Sequence, residues 1–193
     1  MLNTCRRRTT PEIEEVVLLC EQGQVIGTAD KRVIHTDSTP LHSAFSIFLF
    51  NENGEMLTQQ RAWSKKTWPG IWSNACCGHP LPGESHEAAA HRRLSDELGL
   101  TGLQLKLALP NFRYRAELHG IVENEICPVF IGRCDQLPTI NPDEVAATAW
   151  TSWDSFARAA FNANGTGFEA FSPWSLLEAQ QLLQTEQLQQ LLA

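Results

Sequence analysis

The chain has 193 residues, with 15 basic and 22 acidic side chains and a formal charge of −7. At this length folding buries roughly 70% of the surface that the unfolded chain exposes, enough for a core without disulfide or metal staples, and a hydrophobic fraction of 42% argues against intrinsic disorder. The acidic balance speaks against a surface built to grip nucleic acid, and apolar runs such as 44–50 are far too short to span a bilayer.

In chain order, Arg6, Arg7 and Arg8 are followed by the acidic Glu12, Glu14 and Glu15 and not by a long apolar run, so no export signal is read and residues 1–12 are expected to form a frayed tail. The cysteines Cys5, Cys20, Cys76, Cys77, Cys127 and Cys134 are then expected to be reduced, in the cytoplasm. Residues 14–20 and 24–28 read as strands joined around Glu21-Gln-Gly23, and 43–50 and 56–61 as a second pair around Asn51-Glu-Asn-Gly54. Residues 84–98 read as a helix, because Ala90, Leu94 and Leu98 recur every four residues and Gly99 is a natural stop. Its apolar stripe should face a sheet. Strand-like segments follow at 103–109, 112–117, 121–133 and 145–150, with His119-Gly120 as a turn. Residues 154–161 and 175–192 read as helices, the second led by Ser172-Pro173, and 162–167 as a loop of turn formers. Regular βαβ alternation is absent, which predicts a single mixed α/β domain of the α+β type over residues 13–193.

The most informative stretch is Gly78-His-Pro-Leu-Pro-Gly-Glu84 followed by Arg92-Arg93-Leu94-Ser95-Asp96-Glu97-Leu98-Gly99-Leu100. A loop delivers the chain to a helix on which Arg93 and Glu97, four apart, share a face. This resembles the Nudix box, whose spacing is matched from Gly78 to Leu100. Arg93 and Asp96 each stand where the hydrolases of that superfamily have Glu. A hydrolase clusters carboxylates here to hold divalent ions that activate water, and an arginine repels such ions, so phosphoanhydride hydrolysis is disfavoured.

His35 and His42 flank Pro40, where a bend would bring them together, and Glu123 and Glu125 share one face of a strand. With His79 these residues offer nitrogen and oxygen donors suited to an octahedral Mg²⁺, Mn²⁺ or Zn²⁺. Adjacent Cys76 and Cys77 cannot easily aim both thiols at one ion, so one is expected to be reactive and the other to pack in the core. Arg61, Lys65 and Lys66 near Trp68-Pro-Gly-Ile-Trp72, and Phe171-Ser-Pro-Trp174 further on, combine phosphate-binding cations with indole rings that can stabilise a carbocation; most of the tryptophans are expected in the core.

The order of these motifs, with Tyr114 and Ile121-Val-Glu123-Asn-Glu125-Ile-Cys-Pro between them, resembles the type 1 isopentenyl-diphosphate Δ-isomerases across about residues 14–178. The resemblance implies a Nudix-like α/β/α sandwich that interconverts isopentenyl and dimethylallyl diphosphate. It also accounts for both departures from the hydrolase box, since these isomerases leave the diphosphate intact. It implies His35, His42, His79, Glu123 and Glu125 as ligands of one divalent ion, with Glu97 helping to hold a Mg²⁺ that arrives with the substrate. It further implies Lys31, Arg61, Lys65 and Arg93 as the diphosphate clamp. Cys77 and Glu125 would face each other across the alkene, with Tyr114 beside the glutamate and Trp174 over the developing cation. Which of Cys77 and Glu125 is acid and which is base stays open, as do the metal at the histidine site and the oligomeric state.

Overall fold

The computed structural model describes residues 14–161 and 171–193. The expected tail at 1–12 and the expected loop at 162–167 lie outside these residues. The chain runs through β1 (Glu15–Leu19), β2 (Val25–Asp30), α1 (Lys31–Ile34), β3 (His42–Ser43), β4 (Phe45–Phe50), β5 (Glu55–Arg61), β6 (Trp72–Ser73) and β7 (Cys76–Gly78). It continues through α2 (His86–Leu98), β8 (Leu105–Leu109), β9 (Arg113–Leu118), β10 (Ile121–Ile126), β11 (Val129–Arg133), β12 (Val145–Ser152), α3 (Trp153–Phe161), α4 (Pro173–Leu182) and α5 (Glu186–Leu192).

Two mixed sheets result, one in the order β2-β1-β3-β10-β9 and one in the order β12-β5-β4-β11-β8, with β6 on β5 and β7 on β4. The fully buried β4 explains the layering. Its side chains alternate, so Phe48 and Phe50 pack on one face with Trp153 and Phe156 of α3, while Phe45, Ile47 and Leu49 pack on the other with Ala90, Leu94 and Leu98 of α2. The expected α/β/α sandwich is thereby formed. Ser85 caps α2 by accepting from the Ala88 N–H at 3.1 Å, and Gly99 ends it at φ 65°, a left-handed conformation that glycine adopts without strain. Ser85→Ala is expected to cost about 1 kcal/mol of stability in urea unfolding and to leave the sheets unchanged.

The single strand expected over 121–133 is two. Proline cannot donate to a ladder, and at Cys127-Pro128 the chain leaves the first sheet and enters the second. The same passage occurs between Ser43 and Phe45. Both crossings lie side by side, with the Ala44 N–H on the Ile126 carbonyl at 2.9 Å and the Ser46 N–H on the Pro128 carbonyl at 3.1 Å. The helix expected over 175–192 is also two. It starts at Pro173, capped by Ser172, and breaks where the Thr185 hydroxyl accepts from the Leu188 N–H to begin α5. The short α1, β6 and β7 had no periodicity to reveal them.

Candidate active site

The crossings bring distant side chains to one cleft of about 230 Å³, and every expected site residue except His42 lines it. His42 is fully buried behind the others. The bend expected near Pro40 is formed, and its effect is to place His35, at the end of α1, edge-on to His42 with ring centroids 5.3 Å apart. His79, following β7, completes the trio at 5.6 Å from His35 and 5.0 Å from His42.

His35, His42, His79 and Glu123 each direct one donor atom into a space where all four lie within 4.8 Å of one another. His42 Nδ1 faces the Pro40 carbonyl at 2.9 Å, which fixes that ring with Nε2 toward the centre. There His42 Nε2 meets His79 Nε2 at 3.2 Å and Glu125 Oε1 at 3.2 Å. Glu125 therefore adjoins the four-donor group at its edge, and its Oε1 is also 3.1 Å from His79 Nε2. His35 Nε2 and Glu123 Oε2 are buried and face each other across 3.4 Å without forming a hydrogen bond. Buried polar atoms left in this way are costly, and a cation between nitrogen and carboxylate donors satisfies both. The group can hold a divalent ion.

The two carboxyls have opposite proton affinities. Burial, then the charge of Glu125, raises Glu123. Burial also opposes ionisation of Glu125, yet hydrogen bonds from His42 and His79 carry it well below the usual carboxylate range. His79 itself is lowered to about 3 by burial. On its other oxygen Glu125 accepts from the Tyr114 hydroxyl at 2.7 Å; these residues are direct partners in the β9–β10 pair.

Cys76 and Cys77 point to opposite faces of β7, as neighbours on a strand must. Cys76 is fully buried against α2, whereas Cys77 lines the cleft, so the expected division into a core thiol and an accessible one is present. Burial, and next the charge of Glu178, push the Cys77 thiol up to about 12. Cys77 donates to Asn74 Oδ1 at 3.2 Å and lies 3.3 Å from Ser46 Oγ. Cys76→Ala is expected to leave turnover within about twofold of normal while costing on the order of 1 kcal/mol of stability, measured by kinetics and urea unfolding on one preparation. All described cysteines are free.

The apolar wall is aromatic. The rings of Trp68 and Trp174 are 4.8 Å apart and those of Tyr114 and Trp174 are 6.2 Å apart. Trp68 is held at φ 47°, a conformation costly for a bulky residue, and it lines the cleft. Trp68, named in the sequence beside the cations, is both a core residue and part of the cleft wall.

At the mouth, Lys31, Arg61, Lys65 and Arg93 converge. Arg93 pairs with Glu97 Oε1 at 2.6 Å and with Glu144 Oε2 at 2.9 Å. Glu144 also pairs with Lys65, and Lys31 with Glu14 at 2.9 Å. Glu144, missed in the sequence because a lone Glu after Asn-Pro-Asp carries no signal, thus fixes two of these cations, Lys65 and Arg93. Gly78 opens the box for a steric reason: a Cβ there would lie 3.1 Å from Phe45 Cζ and 3.3 Å from Arg93 Cγ.

Residues 40–171 match the NUDIX domain family. Solved structures of a Deinococcus radiodurans protein (TM-score 0.60, 22% identity, 77% of this chain and 90% of that one) and of a MutT protein from Methanosarcina mazei (TM-score 0.60, 20% identity, 74% and 93%) share the fold. Sequence likeness goes further. Isopentenyl-diphosphate Delta-isomerase of Saccharopolyspora erythraea is 49% identical over 173 residues, covering 89% of this chain and 87% of that protein. The enzymes of the same name from Paenarthrobacter aurescens and Citrobacter koseri are 48% and 46% identical, covering 91% and 86% of this chain and 94% and 90% of theirs. Identity of this extent across nearly the whole of each protein, on a NUDIX fold, makes this chain a member of the isopentenyl-diphosphate Delta-isomerase family.

Proposed function

We infer that this protein interconverts isopentenyl diphosphate and dimethylallyl diphosphate, a step of isoprenoid biosynthesis, by adding a proton to the alkene and removing another from a different carbon. The observation that carries the reading is the meeting, in one aromatic-walled cleft, of the Cys77 thiol with the Tyr114–Glu125 pair. An unactivated alkene is a very weak base. Its protonation gives a tertiary carbocation that water would trap, so the reaction needs a dry pocket and an electron-rich ring beside the cation. Trp174 supplies that ring.

Lys31, Arg61, Lys65 and Arg93 bind the diphosphate, Lys31, Lys65 and Arg93 exchanging their present carboxylate partners and Arg61 its bonds to Thr67 for phosphate oxygens. His35, His42, His79, Glu123 and Glu125 would hold Mn²⁺, Zn²⁺ or Mg²⁺, and Glu97 would help to hold a Mg²⁺ carried in with the substrate. Ions held there would supply positive charge against the diphosphate and would tune the proton affinity of Glu125. Tyr114 relays the proton from the Glu125 side to the terminal alkene carbon, and Cys77 removes a proton from C2 on the other side of the hydrocarbon. Residues 13–193 act as one domain in this reading. A cytoplasmic setting is part of this proposal, because thiols such as those of the described cysteines stay reduced there; no described helix is long and apolar enough to cross a membrane.

Proton NMR of the protein with isopentenyl diphosphate and Mg²⁺ in D₂O tests the reading. The expected result is dimethylallyl diphosphate carrying deuterium, with no phosphate released. Absence of both isomer and exchange after Mn²⁺ or Zn²⁺ loading overturns it, and phosphate release would mark a hydrolase.

A further inference from the structure

Carboxylates already sit among the cations at the cleft mouth. Glu14 pairs with Lys31 at 2.9 Å and reaches Arg93 at 4.0 Å, while Glu144 pairs with Arg93 at 2.9 Å and with Lys65. Charge therefore alternates along the row Lys31, Glu14, Arg93, Glu144, Lys65. The place of Glu144 in that row is set by its backbone. Its N–H is bonded to the Asn141 carbonyl at 3.0 Å, and its carbonyl accepts from the Ala62 N–H at 2.9 Å, at the foot of the loop that carries Lys65. The Asn141 N–H in turn reaches the Glu97 carbonyl at 2.8 Å, which ties the same segment to α2 and so to Arg93. Glu144 is thus fastened to both elements whose cations its side chain bridges.

A phosphate oxygen that takes Lys65 and Arg93 must push this carboxylate aside. The side chain can turn about its own bonds, but the main chain keeps it at the mouth. With the Glu144 side chain only 22% exposed, solvent screens its charge incompletely, and a bound diphosphate is opposed by a negative charge that cannot leave. Arg93 does not need Glu144 for its direction, because Glu97 Oε1 takes its Nε and Nη2 at 2.9 and 2.6 Å. Substrate and product carry the same diphosphate. A clamp that holds both equally gains no turnover from holding them more tightly, and a product held too long blocks the site.

We propose that Glu144 is a built-in competitor of the diphosphate, which weakens the grip of the cations on substrate and product alike and pairs again with Lys65 and Arg93 as the product leaves. No covalent bond changes. Glu144 acts through these two cations and touches no reacting atom. The proposal rests on the reading of Lys31, Arg61, Lys65 and Arg93 as the diphosphate clamp. A carboxylate that served only to orient the cations would have the opposite sign, since its loss would weaken binding.

Glu144→Gln keeps the shape and removes the charge. In titration calorimetry of the metal-loaded protein with inorganic diphosphate at fixed Mg²⁺, its Kd is expected to fall about fivefold or more. Release of dimethylallyl diphosphate, followed by stopped-flow tryptophan fluorescence, is expected to slow in proportion. Glu144→Asp retains the charge and should bind within about twofold of the unmodified protein. A Kd for Glu144→Gln that is raised, or unchanged within about twofold, overturns the proposal. So does equal tightening in both variants, the mark of relieved crowding, and so does tighter binding without slower release. If Glu144→Gln fails to fold, Glu144→Ala decides by the same criteria. Lys65→Ala measured alongside separates the readings. Diphosphate binding indifferent to Lys65 would sink the clamp and the proposal with it, whereas binding weakened by Lys65→Ala but not tightened by Glu144→Gln would sink the competitor role alone.

Discussion

Cys77→Ala is expected to lower turnover on the order of 10³-fold or more while metal content and fold stay intact. The thiol projects from β7 into the cleft, and its removal forfeits the hydrogen bonds to Asn74 and Ser46. The hydroxyls beside it, Ser46 at 3.3 Å and Ser73 at 4.0 Å, are far weaker acids than a thiol. Steady-state turnover, with elemental analysis on the same preparation, measures the effect. Normal turnover would sink the assigned role, and a dead Cys76→Ala beside an active Cys77→Ala would exchange the roles of the two thiols.

Glu125→Gln is expected to be comparably severe but different in kind, with activity falling by roughly 10² to 10⁴ and metal retention after dialysis falling with it. On the proposed reading Glu125 has two separate tasks. Its Oε1 faces His42 and His79, where its charge would contribute to cation binding, and its Oε2 receives the Tyr114 hydroxyl. An amide keeps the shape but loses the charge and the ability to carry a proton. Full metal retention with normal turnover would remove Glu125 from both tasks. Full retention with turnover lost would assign it to proton transfer alone.

Much of this site was legible in the sequence because its chemistry comes in contiguous motifs. Glu123 and Glu125 must share a face of β10, Arg93 and Glu97 must share a face of α2, and Cys76 and Cys77 must part company on β7, all by backbone geometry alone. What periodicity could not carry was the change of sheet. Residues 121–133 alternate well enough to pass as one strand, and only Pro128 marks the crossing, a signal that one-dimensional pattern matching gives little weight. Glu144, Ser46 and Glu178 were invisible for a different reason. Each matters through partners brought from 51, 31 and 132 residues away. The Thr185 cap that divides the last helix lay in plain view, masked by the Leu and Gln repeats on either side.

The two adjacent sheet crossings also bear on how the protein matures. His42, Glu123 and Glu125 stand on the first sheet, His79 follows a strand of the second, and His35 ends a helix of one turn. No short stretch of the nascent chain holds more than part of this set. The donors assemble only when the parallel pairs β3–β10 and β4–β11 close, and these are long-range pairings, which are intrinsically slow to form. A zinc finger gathers its ligands locally and lets the ion nucleate the fold; a donor set spread over two sheets predicts the reverse order, with an ion captured by sheets already in register. Protein synthesised during metal starvation should therefore accumulate folded and idle, ready to be activated by the ion alone without passing again through an unfolded state.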